Sequence, residues 1–186
     1  MTPRAIALAV LLALPVPLAI AATGWPLAGS ANGFPASLGL ALVAAASLTF
    51  TLGLFRRLSR TGGVFITHFG WSETAAQDLA RSLRRLGRVQ VPMTFLLTLT
   101  LAGPETRYGL GLLAFTAISL ALGGFAWRVC RPRTGVLALA VPGRRSTYTT
   151  RLGALVLVAA PVAVGLLPLA GYLDAAVTLQ ARVLRS

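Results

Sequence analysis

Charged residues are scarce in this sequence, and its basic residues include no lysine at all. They make up 11% of the 186 residues, whereas a soluble domain carries about 25%. A chain with so few charges could not cover the surface of a soluble domain of this length. Hydrophobic residues make up 56% of the chain and form runs of spanning length, which indicates an integral membrane protein.

Histidine, cysteine and acidic residues are also rare, and this weighs against several kinds of active site. The chain has one histidine, His68, one cysteine, Cys130, and four acidic residues. A single cysteine cannot form an internal disulfide, and a metal site at His68 would lack a second histidine ligand. A catalytic His68 would need a nucleophile and an orienting acid; Ser72 and Glu73 are near in sequence, but nothing specifies a triad. We therefore predict no enzyme activity, no metal site and no cofactor.

Five apolar segments predict an all-α, polytopic integral membrane protein, because a backbone in lipid must satisfy its own hydrogen bonds. We expect four to five transmembrane helices plus one cytoplasmic amphipathic interfacial helix. Segment 1–22 is either a retained span, kinked by Pro15 and Pro17, or a signal peptide with a small-residue cleavage site at 19–21. The predicted parts are spans at 1–22, 37–55 and 152–173, a transmembrane helical hairpin at 89–127, a periplasmic loop at 23–36, cytoplasmic loops at 56–88 and 128–151, and a periplasmic tail at 174–186.

The distribution of arginine sets the predicted orientation. With the N-terminus inside, 14 arginines lie on the cytoplasmic side and three on the outer side. The positive charge is therefore typical of membrane topology and not of a nucleic-acid partner. We predict a multi-pass membrane protein, with a cytoplasmic N-terminus if the first segment is retained.

The predicted spans have no ionisable residue in their cores, and they are rich in small residues. Intramembrane ionisable residues mark ion coupling, proton relays and catalysis, so their scarcity weighs against a pump, a coupled transporter or a membrane protease. Small residues four positions apart, such as Ala117 with Ala121 and Ser119 with Gly123, allow close helix packing.

Segment 72–86 has the pattern of an amphipathic helix. Ser72 is the predicted N-cap, and Glu73 falls in the first turn, where the helix dipole favours an acid. Such a helix on the cytoplasmic side is expected to lie among lipid headgroups, although a solvated loop helix has the same pattern. The predicted apolar side has Ala75, Ala76, Leu79, Ala80, Leu83 and Leu86; the polar side has Gln77, Asp78 and the candidate anionic-lipid contacts Arg81, Arg84, Arg85 and Arg88.

Three aromatic residues precede this helix. Phe65, Phe69 and Trp71 suit a membrane interface, where aromatic rings anchor a chain. Glycines at 62, 63 and 70 allow turns in this stretch of the chain. The cluster therefore predicts an aromatic anchor through which the chain leaves one span and enters the amphipathic helix.

Three stretches in order carry a family resemblance. "RTGGVFITHFGWSE", followed by "LARSLRRLGRVQVPMTFLL", resembles the inner-membrane segment of the large mechanosensitive channels of the MscS superfamily, of the MscK and MscM type. "WRVCRPRTGVL" at 127–137 and "LPLAGYLDAAVTLQARVL" at 167–184 are similar to later stretches of that segment. Together these matches cover residues 37–186.

The resemblance implies a location in the bacterial inner (cytoplasmic) membrane and a role in osmotic protection, in which bilayer tension tilts peripheral helices and a separate pore opens. Family members of this type continue into a pore helix and a cytoplasmic vestibule that this sequence does not contain. We therefore expect a tension-sensing accessory region, present as a fragment or a split subunit. Its expected partners are the lipid bilayer, anionic lipids and a pore-bearing channel domain or subunit, in a homo-oligomer in full context. A membrane scaffold or assembly subunit is the main alternative, and a small transporter is a further one.

Overall fold

The computed structural model describes residues 2–31, 33–60, 63–101, 107–131, 136 and 148–166. Within these ranges all regular secondary structure is helical, which confirms the predicted all-α fold. The helices are α1 (Thr2–Ala13), α2 (Pro15–Ala28), α3 (Gly33–Leu58), α4 (Val64–Thr67), α5 (Glu73–Thr100), α6 (Leu112–Cys130), which directly follows a π-helical turn at Arg107–Gly111, and α7 (Tyr148–Leu166).

Several predicted features lie outside the described residues. They are residues 103–106 of the stretch "GPETRYG" at 103–109, which predicts a tight outer turn within the hairpin, most of the second arginine-rich loop, the family-like stretch at 167–184 and the predicted tail at 174–186. The predictions made for these parts stay predictions.

Two helices of the described chain are long and apolar enough to cross a membrane, Gly33–Leu58 and Gly109–Cys130. The bent pair Ile6–Ala13 and Pro15–Ala28 adds a third if it forms one span. Leu155–Leu166 is a shorter apolar helix. These helices fit an all-α membrane protein, whereas the count of four to five spans stays a prediction.

A sharp bend divides the first apolar segment. Helix α1 ends at Ala13, α2 begins at Pro15, and the two meet at 48°. A proline has no N–H for the helix ladder, and its ring crowds the preceding turn, so Pro15 fits the first position of α2, where no helix hydrogen bond is lost. The predicted proline kink is confirmed.

The loop expected at 23–36 is mostly helix, which corrects that prediction. Helix α2 continues to Ala28, and α3 begins at Gly33. The glycine and proline residues of this stretch are typical of turns in water, but in a membrane protein they are tolerated within helices. Pro26 lies inside α2, and Gly24 is buried against α3.

Helices α2 and α3 pack antiparallel and very close together. Ala28 lies opposite Gly39, and Gly24 lies opposite both Gly39 and Leu42. A Cβ atom at Gly39 would come within 2.6 Å of the Gly24 carbonyl oxygen and of Ala28 Cα. Only a residue without a side chain permits this separation, which is a common use of glycine between membrane helices.

Helix α5 is continuous for 28 residues, from Glu73 to Thr100. The sequence predicts a helix ending at 86 and a separate span beginning at 89, but the structure has no break there. The change from a polar to an apolar sequence does not interrupt backbone hydrogen bonds, and a single glycine costs a helix only about 1 kcal/mol. Gly87 sits where a Cβ would be 3.3 Å from Leu52 Cδ1, so it lies in the interface with α3.

The hydrophobic core of the described chain lies between α3, α5 and α6. Five of the six residues predicted for the apolar side of segment 72–86 are buried, each less than a tenth exposed, and Ala80 is half-buried; the five are Ala75, Ala76, Leu79, Leu83 and Leu86. This confirms that these residues share one face. The central cluster consists of Leu52, Ala75, Leu79, Leu83, Leu86 and Val136, with Leu48, Phe65, Trp71, Val91, Ala121, Leu122, Phe125 and Val129 packed around it.

Small residues also bring α6 and α7 together, again in antiparallel fashion. Ser119 lies against Gly165, where an added Cβ would overlap the serine side chain. One turn along α6, a Cβ at Gly123 would be 2.6 Å from Val162 Cγ2. The predicted pair of Ser119 and Gly123 therefore lies in a close helix interface.

Candidate functional site: an arginine-lined cleft

The first turn of α5 is capped as the sequence predicts. Ser72 has an extended backbone, and its Oγ accepts a hydrogen bond of 3.3 Å from the Ala75 N–H. Glu73 lies in the first helical turn. This cap fixes where α5 begins, and so it fixes which side chains face the core and which face outward.

The four arginines predicted to contact anionic lipid are exposed on α5; they are Arg81, Arg84, Arg85 and Arg88. The opposite, apolar face of the same helix is covered by the protein itself. Any contact of this part of α5 with lipid is therefore made by the arginine face. The headgroup contact itself stays a prediction.

These arginines point in two directions. Arg84 is close enough to Arg56, near the end of α3, for the two charges to repel each other. Arg81 and Arg85 instead line a cleft with Arg128 and Arg131, which lie at the C-terminal end of α6. The structure thus brings arginines of two predicted cytoplasmic segments into one place.

The cleft has a volume of about 260 Å³. The buried Val136, which also belongs to the hydrophobic core, is one of the residues that line it. In the sequence, the arginines of α6 and the following loop serve only as indicators of topology, because their distance from α5 is not visible there. The lining residues are Asp78, Arg81, Ser82, Arg85, Arg128, Arg131 and Val136.

One carboxylate faces this cluster of cations. Arg81 Nη2 lies 2.6 Å from Asp78 Oδ1, one turn earlier on the same helix. Both side chains are well exposed, at 64% and 39%, so the pair contributes only about 0.3–0.5 kcal/mol to stability. Among the residues that the structure describes, Arg85, Arg128 and Arg131 form no ion pair. The cleft therefore has a strong net positive charge.

The aromatic residues before α5 form a compact hinge. Phe65 and Trp71 stack with ring centroids 4.9 Å apart, and Phe69 lies 6.0 Å from Phe65. The Trp71 backbone N–H donates to the Phe65 carbonyl oxygen at 3.1 Å. Gly70 has a φ of 63°, and this left-handed conformation closes the turn. Phe65 and Trp71 pack against the core, whereas Phe69 is 66% exposed. A membrane-anchoring role stays a prediction, and Phe69 is the ring best placed for it.

His68 lies at the C-terminal end of the short helix α4. Its backbone N–H donates to the Val64 carbonyl oxygen at 2.9 Å, and the residue is exposed. The neighbouring Ser72 hydroxyl caps α5 and lies 3.1 Å from the Thr74 hydroxyl. The local fold thus uses these residues to turn the chain from α4 into α5.

A comparison with protein families identifies one model that matches this chain. The family is described as mechanosensitive ion channel inner membrane domain 1, and the match covers residues 1–186. It includes residues 1–36, which the motifs in the sequence did not cover. No curated protein and no solved structure matches the chain.

Proposed function

Because the chain belongs to the mechanosensitive ion channel inner membrane domain 1 family, we propose that it is the tension-sensing accessory region of such a channel. In this role it serves the response to osmotic downshock, together with a pore-bearing domain or subunit. The family match over residues 1–186 is the observation that carries the proposal. The apolar helices support a position in the inner membrane.

The continuous helix α5 supports the transmission of tension from its apolar half to its arginine-rich half. Tension shifts an equilibrium only if two states differ in their membrane footprint, just as a ligand must bind two states differently. The apolar half of α5 ends at Thr100, and its arginine-rich half packs against α3. Pro92 lies within α5 and removes one hydrogen bond of the helix, but the helix continues past it. We therefore expect a tilt of the apolar half to move the arginine-rich half with it.

The hydroxyl groups of the apolar helices support the view that the pore lies elsewhere. A water-filled pore must be lined by helices with polar or small faces, and these hydroxyls do not make one continuous polar stripe on any single helix. Several threonine hydroxyls donate to carbonyl oxygens of their own helix four residues earlier. These bonds run from Thr49 to Ala45 at 2.7 Å, from Thr51 to Ser47 at 2.9 Å, from Thr98 to Thr94 at 2.8 Å and from Thr116 to Leu112 at 2.8 Å.

We expect this chain alone to conduct no ions under tension. Purified protein in liposomes would be recorded by patch clamp while suction is increased until the membrane ruptures. A well-characterised tension-gated channel, reconstituted in the same way, shows that the patches transmit force. Reproducible tension-gated current steps from this chain alone would show that its own helices line a pore.

We also expect the segment between α3 and α5 to face the cytoplasm. Thr67→Cys at the end of α4 and Thr74→Cys in the first turn of α5 change exposed residues on this side, and each would be made in a Cys130→Ser background. Both cysteines should resist a membrane-impermeant maleimide in intact cells and react after permeabilisation. Ser59 is only 1% exposed, so a cysteine at that position would not report topology.

Ala31→Cys provides the control for the opposite side. Ala31 is exposed in the turn between α2 and α3, which the arginine distribution places outside. The reagent should label this cysteine in intact cells. Labelling of Thr67→Cys or Thr74→Cys from outside, with Ala31→Cys protected, would reverse the proposed orientation.

A further inference from the structure

We propose that the cleft between α5 and the C-terminal end of α6 is a binding site for a phosphate group. The cleft joins Arg81 and Arg85 on one helix to Arg128 and Arg131 at the end of another. This inference rests on the fold of the described residues and does not depend on the proposed channel role.

The positive charge of the clustered arginines favours the binding of an anion in the cleft. Like charges brought together by packing destabilise a fold unless a counter-charge is present. Arg128 lies in the last turn of α6, where the helix dipole favours a cation, and this accounts for that residue alone. The dipole does not account for Arg85, which approaches the same cleft from the middle of α5. A bound anion would neutralise arginines of both helices at once.

The lining favours phosphate over other anions. A guanidinium group presents its N–H donors as a planar fork, which matches two oxygens of a phosphate. The Ser82 hydroxyl adds a further hydrogen-bond donor at the edge of the cleft. Asp78 would repel an anion, but its carboxylate is bound to Arg81, which offsets that charge.

The size of the cleft limits what can bind. Pockets for drug-sized ligands have volumes of about 300–1,000 Å³, whereas this cleft has about 260 Å³. A volume of about 260 Å³ accommodates the phosphate group of a monoester. The cleft opens where the apolar helix Gly109–Cys130 ends, so both a lipid headgroup and a soluble phosphate compound can reach it.

Calorimetric titration of the full chain in a neutral detergent tests the proposal. The protein would be titrated with inorganic phosphate, with dioctanoyl phosphatidic acid and with dioctanoyl phosphatidylcholine, all at about 0.15 M salt. We expect phosphatidic acid, inorganic phosphate or both to bind, and phosphatidylcholine to bind at least about tenfold more weakly. Tight binding of phosphatidic acid alone identifies a lipid headgroup as the source. Binding of inorganic phosphate that competes with phosphatidic acid identifies a free phosphate group.

Two double variants separate the cleft from general surface charge. Arg85→Gln with Arg128→Gln should weaken phosphate binding by about tenfold or more, because it removes one guanidinium group from each of the two helices. Arg56→Gln with Arg60→Gln removes the same charge from exposed positions at the end of α3, outside the cleft, and should leave the affinity within about twofold. Arg131→Gln alone, at an exposed position after α6, gives a second variant of the cleft if the first does not fold.

Three results would overturn the proposal. They are no binding of either phosphate ligand, equal loss of affinity in the two double variants, and binding of phosphatidylcholine as tight as that of phosphatidic acid. Size-exclusion chromatography and far-ultraviolet circular dichroism of each variant would establish that a loss of affinity is not a loss of fold.

Discussion

Replacing Gly39 by valine should force α2 away from α3 and lower the free energy of unfolding by about 2–3 kcal/mol. A Cβ at this position would meet the Ala28 backbone and would lie 2.6 Å from the Gly24 carbonyl oxygen. Both neighbours are backbone atoms, so no rotation of a side chain can relieve the overlap. Valine forms helices slightly better than glycine, but that gain of about half a kcal/mol is smaller than the cost of overpacking.

The matched control is Gly53→Val on the same helix. A Cβ at Gly53 would have no heavy atom within 4 Å, so this substitution should leave stability nearly unchanged. Thermal unfolding in detergent, followed by tryptophan fluorescence, would measure both variants. At about 2–4 °C per kcal/mol for a chain of this size, Gly39→Val should lower the midpoint by about 5–10 °C. Equal midpoints for the two variants would mean that α2 does not pack against α3 at this separation.

Features that depend only on local sequence pattern or on composition are predictable from the sequence. The low charge and the long apolar runs predict an all-helical membrane protein, and the family-like motifs around His68 predict the family that the chain belongs to. The Ser72 cap and the shared face of Leu79, Leu83 and Leu86 follow from helical period alone. These features do not require knowledge of which helices are neighbours.

Features that depend on neighbouring helices were not predictable in the same way. Gly24 and Pro26 are typical of a turn, yet they lie in α2, because α3 covers Gly24 at close range. The apolar face of segment 72–86 is compatible with either a bilayer surface or a protein core, and only packing shows that Leu52 and Val136 cover it. The cleft between Arg85 and Arg128 likewise depends on how α5 meets α6.

Replacing Leu83 by aspartate should give the largest loss of stability among these variants, about 3–5 kcal/mol. Leu83 is 5% exposed in the cluster that joins α3, α5 and Val136. The substitution removes the packing of a buried leucine and places a carboxylate among apolar side chains. Among the residues of that cluster, none carries a charge that could pair with it. At about 2–4 °C per kcal/mol, the thermal midpoint should fall by about 6–20 °C.

Gln77→Asp is the control, because it adds the same charge at an exposed position of the same helix and should change the midpoint by no more than about 2 °C.

The comparison of Leu83→Asp with Gln77→Asp also tests whether the apolar face packs in the protein core or lies on the bilayer. If that face packs in the protein core, Leu83→Asp lowers the thermal midpoint, and binding to anionic vesicles changes only because the protein unfolds. If the face instead lies on the bilayer, Leu83→Asp should weaken vesicle binding while the midpoint stays where Gln77→Asp leaves it. Because Leu83 packs with Leu52 and Val136 on neighbouring segments, we expect the first result, with the arginine face left as the surface that meets the headgroups.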